Sequence, residues 1–218
     1  MNDETTEAII PTESPFDGHV LPTEEMSLDQ RRGLVMRAQQ QALELVEEGI
    51  IANPDQFPVN VYDVIRRLGL SVKEGPLHKS NIRVNDRDIA GAIIKDVGDD
   101  APVILLEETG TPEHKLFTAS HELGHYLFWV SDTSEDERKA VRWGDVRPEH
   151  PAGKDDGDVL SSEYLANTFA QYLLMPDKAL AAALQEGLDV NQLAERFGVT
   201  SESAIRRLSY LDLSSQTF

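Results

Sequence analysis

The sequence predicts an α+β fold, and three observations lead there. Apolar residues recur at helix spacing in three long segments, 28–51, 112–129 and 161–174. Four short β-like runs sit together between residues 70 and 106. Beyond Pro176 the pattern is helical again. With 218 residues, 40% of them hydrophobic, the chain can bury one substantial core.

Each element has its own signal. Residues 1–27 are acidic and rich in Thr, Glu and Pro, without apolar periodicity, and are expected to form a disordered tail. Leu34, Ala38, Ala42, Leu45 and Val46 then mark a first helix, which Asn53-Pro54 ends. Val61, Val64, Ile65 and Leu68 mark a second, stopped by Gly69. Strands are expected at 70–73, 82–84, 89–94 and 103–106, the last two pairing as a hairpin across the polar segment 96–100. Thr111-Pro112 supplies an N-cap followed by proline at the first helical position, opening a helix to about Trp129. Residues 131–158 carry charges of both signs with scattered Gly and Pro. They read as a long mobile loop with one short helix at 135–141. A strong helix follows over 161–174, then three short ones to Leu211. The chain thus divides into a tail (1–27), a main domain (28–176) and a helical C-terminal segment (177–218).

Composition narrows the function classes. With no cysteine there is no disulfide framework and no thiolate metal site, so His and carboxylates are the available strong ligands. Met1 to Asp29 holds eight acidic residues and no Lys or Arg, unlike a secretory leader, and no run of 18 apolar residues occurs. A cytoplasmic protein without a membrane partner is expected. The net charge of −19 repels phosphate backbones, so nucleic acid is not the expected partner.

The chemistry concentrates on the helix after Pro112, which reads His121-Glu122-Leu123-Gly124-His125. Residues i and i+4 share a helix face, so both imidazoles can reach one cation. Glu122 lies beside that face, placed to take a proton from a water at the cation. The spacing of a third His six residues beyond the second is absent, since that position is Ser131. Two candidates for a third ligand stand. His150 lies in the expected loop, whereas Glu163 lies on the next long helix, where Leu165, Phe169, Tyr172 and Leu173 can pack it against the first. Glu163 also reads equally well as a helix N-terminal carboxylate favoured by the dipole. Asn167, one turn later, would share its face and could hydrogen-bond a ligand imidazole. Tyr126, Tyr164, Tyr172, His78 and His150 are open candidates for stabilising a tetrahedral intermediate. Asp155-Asp156-Gly157-Asp158 lacks the rest of a calcium loop and reads as solvated linker.

Two separated blocks, Phe117–His125 and Glu163–Ala170 with Leu173-Leu174-Met175-Pro176, resemble the ImmA/IrrE metallopeptidases. The helix around Val61–Leu68 and the run Ala90-Gly91-Ala92-Ile93-Ile94 are similar to the region upstream of those blocks in that family. The resemblance implies a zincin-like fold, with a small mixed or antiparallel sheet over the active-site helix. It implies zinc held by His121, His125 and Glu163, with Glu122 as the catalytic glutamate. It also implies a protein substrate, a helix-turn-helix repressor whose cleavage relieves repression under stress or in a mobile element.

Two rival readings remain at this point. One is a regulatory module that binds its partner without cutting it. The other is a transcription factor acting through Val190–Leu211, which has a helix, a Gly198 turn and a second helix, with Arg206 and Arg207 as candidate phosphate contacts. Two clustered arginines in a chain of this charge favour a packing unit over a DNA reader.

Overall fold

The computed structural model describes residues 27–77, 89–95, 101–140, 143–148 and 161–215. The expected tail, the β-like run at 82–84, His78, His150 and the aspartate cluster at 155–158 lie outside the described residues. Helix α1 (Leu28–Glu47) begins with a capping box in which Ser27 and Gln30 satisfy each other's backbone N–H. It ends four residues before the expected Ile51, because Gly49 turns left-handed at φ 72° and its N–H closes onto Val46. Helix α2 (Val61–Arg67) is capped by Asn60 and buries Val61, Val64 and Ile65, the residues that announced it.

A four-stranded mixed sheet follows, in the order β1-β3-β2-β4. Strands β2 (Ile89–Lys95) and β3 (Val103–Glu107) form the expected antiparallel pair, with Ile93 opposite Ile104 and Gly91 opposite Leu106. Strand β1 (Ser71–Gly75) runs parallel to β3. The sheet covers α3 (Pro112–Asp132), which packs on its other side against α5 (Ser161–Leu174), and α1 lies against α5 in turn. Phe117, Leu123, Phe128, Trp129, Phe169 and Leu173 fill the space between these layers. Each such side chain contributes about 1.5–3 kcal/mol by leaving water.

Residues 131–158, expected to be one loop with a short helix, contain more structure than that. Helix α4 (Glu135–Ala140) is present as expected, but β4 (Trp143–Pro148) is a strand and pairs antiparallel with β2. Its sequence, with Gly144, Asp145 and Pro148, has little β propensity of its own, and pairing to β2 overrides that. Such composition suits a strand at the edge of a sheet. The C-terminal helices are α6 (Asp177–Gln185), α7 (Val190–Phe197) and α8 (Ser201–Ser215).

Gly124 sets the spacing between α3 and α5. A methyl group there would stand 2.9 Å from Phe169 Cδ1 and 3.2 Å from the Ala166 Cα. Alanine would gain about 1 kcal/mol in helix propensity over glycine, roughly offsetting a small displacement. A larger branched side chain cannot be accommodated in that way. Gly124→Val is therefore expected to lower stability by about 2 kcal/mol or more in denaturant unfolding, an overpacking effect, whereas Gly124→Ala should stay within about 1 kcal/mol of wild type.

Candidate metal centre

Helix α3 opens where the sequence says it should: Thr111 Oγ1 accepts from the His114 N–H at 3.3 Å, with Pro112 next in line. One face of the helix then enters the core, and its buried hydroxyl is satisfied locally, Ser120 Oγ donating to Leu116 O at 2.8 Å. His121, Glu122 and His125 are at most 2% exposed, which is rare for such residues unless they are held by partners. The Glu163 side chain, 27% exposed, is the member of the group that meets solvent.

The structure brings His121, His125 and Glu163 together. The two Nε2 atoms face each other at 2.9 Å. Glu163 Oε1 lies 3.0 Å from His125 Nε2, and Glu163 Oε2 lies 3.4 Å from His121 Nε2. One candidate donor atom from each residue falls within 4.8 Å of the others. Two donors bound tetrahedrally to one zinc at 2.0–2.1 Å would stand about 3.3 Å apart. The spacing and the chemistry of the set, two imidazoles and a carboxylate, therefore fit a zinc ion with a fourth position open. Asn167 is placed as its spacing suggested, its Oδ1 3.1 Å from His121 Nδ1. With Nδ1–H donating to that oxygen, the tautomer leaves the Nε2 lone pair directed at the group.

Glu122 is directed toward the sheet. Gly91 of β2 passes so close that a Cβ there would collide with Thr118 Cγ2 and stand 3.5 Å from Glu122 Oε1. A bulge in the β2–β4 pairing falls between Ile89 and Gly91, beside this contact. Sequence reasoning passed over Gly91 and Thr118 as site-forming residues. A glycine inside an apolar strand was the available signal, since it marks close backbone approach.

The tyrosine and arginine candidates have partners of their own. Tyr164 and Tyr172 pack against Tyr210 of α8, and burial pushes the Tyr164 hydroxyl up to about 12. Tyr126 packs beside Trp129. Arg207, offered above as a phosphate contact, is instead fully buried. Its Nε donates to Met175 O at 2.9 Å, its guanidinium pairs with Asp177, and it lies 4.0 Å over the Tyr172 ring. Arg206 is exposed and pairs with Glu202. The Gly198 turn, left-handed at φ 65°, is closely covered by Pro58 and Leu116. The α7–α8 pair thus packs as part of the body, and its arginines do not form a basic surface.

The zincin-like fold and the His-His-Glu group together define a metallopeptidase-like protein. Residues 66–209 match the model of peptidase family M78, described as the IrrE N-terminal-like domain, and the chain belongs to that family. Among solved structures, a Mycobacterium tuberculosis transcriptional regulator is similar at 20% identity, with a TM-score of 0.47. The match covers 84% of this chain and 52% of the regulator, so the chain spans about half of its length. No curated protein matches the chain. Among the described residues no helix is long and apolar enough to cross a membrane.

Removing Asn167's oxygen leaves the three donors in place but frees the His121 ring. Asn167→Ala is expected to weaken zinc binding by about 10–100-fold in chelator competition. Glu163→Ala removes a donor and should weaken it further. Equal, unchanged affinities in both variants would refute this ligand set.

Proposed function

We propose that the protein is a zinc endopeptidase that cuts a partner protein, with His121, His125 and Glu163 as ligands and Glu122 as general base. The observation that carries the reading is the convergence of both imidazoles with Glu163, on a helix whose adjacent Glu122 lies beneath the sheet. A zinc ion bound there would supply Lewis acidity, polarising the scissile carbonyl and acidifying water. Glu122 takes the proton from the attacking water and passes it to the departing amine, so one carboxylate serves as base and then as acid. Asn167 holds the His121 ring in register throughout.

We infer a route for the substrate from the same elements. Lys115, near the start of α3, pairs with Glu74 of β1 at 2.6 Å, whereas Glu122 lies against Gly91 of β2. The helix therefore crosses beneath the sheet from the β1 side toward the β2–β4 side, and the edge nearest the group is β4. An extended peptide segment adding to that edge would lie over the ligands and enter on the exposed side of Glu163. That favours a flexible segment of a folded protein as the scissile region. Family membership supports a regulator as substrate, and we infer a helix-turn-helix repressor whose cleavage relieves repression in a stress or mobile-element response.

Glu122→Gln is expected to keep one zinc per chain and lose at least about 10²-fold in peptidase activity, measured on the partner repressor. Zinc retained with full activity in that variant would remove Glu122 from the mechanism. Tight partner binding without cleavage by the zinc-loaded wild type would support the non-cutting module instead.

A further inference from the structure

Helix α1 presents a second, outward face that the peptidase reading does not use. Its inner face buries Val35, Ala38, Ala42 and Leu45 against the body. Its outer face carries Met36, 68% exposed, and Leu43, 47% exposed, two of the five exposed large hydrophobic side chains among the described residues. These two lie seven residues apart, on one stripe of the helix. Arg32 continues that stripe one turn before Met36, and Glu47 continues it one turn after Leu43. The row reads basic, apolar, apolar, acidic, with equal spacing about its midpoint.

Such a row is complementary to itself when reversed. We propose that α1 is a self-association surface, on which a second copy of this chain docks its own α1 antiparallel across a two-fold axis. Met36 of each copy then covers Leu43 of the other, and Arg32 of each meets Glu47 of the other. The interface is isologous, one patch serving both partners. The wider charge pattern agrees. In a chain of net charge −19, the first half of α1 holds three arginines and one aspartate, with Arg37 already paired to Asp132 of α3 at 2.5 Å, and the second half two glutamates and no basic residue. Antiparallel docking sets the basic half against the acidic half, whereas parallel docking would set like against like. Inside one copy, Arg32 stands 4.0 Å from Asp29. One helix pair covers less than the roughly 1,200 Å² at the low end of stable interfaces, so the dimer should be weak and concentration-dependent.

The test is sedimentation equilibrium of the full chain from low micromolar to millimolar concentration, a measurement independent of any peptidase activity. Wild type should pass from monomer to dimer within that range, and Met36→Glu with Leu43→Glu should remain monomeric. Arg32→Glu alone should weaken the dimer at least tenfold, and Arg32→Glu combined with Glu47→Arg should restore it. A wild type monomeric throughout would overturn the proposal, as would a dimer that ignores the Met36 and Leu43 substitutions. If the full chain is monomeric and dimerises only after residues 1–26 are deleted, the tail is the occupant of this face and the proposal fails.

Discussion

The candidate centre depends on how closely two helices approach. Both histidines come from α3, but the carboxylate that completes the group comes from α5, and no local sequence rule fixes the distance between the two. Gly124 fixes it: with no side chain there, the α5 backbone at Ala166 comes within reach, and Phe169 closes over the gap. Widen that contact by an ångström and Glu163 would leave the 3.0–3.4 Å range in which it faces both Nε2 atoms. The hydrophobic layer around Leu123, Phe128 and Leu173 supplies the energy, and the glycine determines where that energy places the donors.

The same economy of space recurs on the opposite side of α3. Gly91 lets β2 settle onto Thr118 and Glu122, so the residue proposed as base is packed between helix and strand. Glu122 is fully buried, while Glu163 retains access to solvent. One side of α3 thus faces the sheet and the opposite side faces α5. Further away, Arg207 ties α8 to the end of α5 through Met175 and Asp177, and Gln39 of α1 donates to that same aspartate at 2.5 Å. The C-terminal helices therefore buttress the helix that carries Glu163.

Much of this was legible in the sequence because it is local. The 3.6-residue period, the Thr111-Pro112 cap and the i, i+4 histidines are written within one element, and so are Glu163 and Asn167 on a shared face. What escaped was tertiary. Strand β4 carries glycine, aspartate and proline, and becomes a strand only because β2 offers it a ladder. Arg207 looks like a surface cation until Tyr172 and Asp177 are placed around it. Gly91 looks like one small residue among alanines until a helix is placed beneath it. Between His150 and Glu163 the pattern favoured the residue on a packed helix, but nothing in one helix reveals the spacing of the next.

The third donor is a consequence of helix spacing, and the metal's own coordination shell can report on it. X-ray absorption at the zinc edge, on zinc-loaded wild type beside Gly124→Val, measures this directly. Wild type should show two imidazole nitrogens and carboxylate oxygen at about 2.0–2.2 Å. Gly124→Val should keep both imidazoles, which share α3, and lose the carboxylate contribution from α5. A wild-type shell without two imidazoles, or a Gly124→Val shell identical to wild type, would contradict the account.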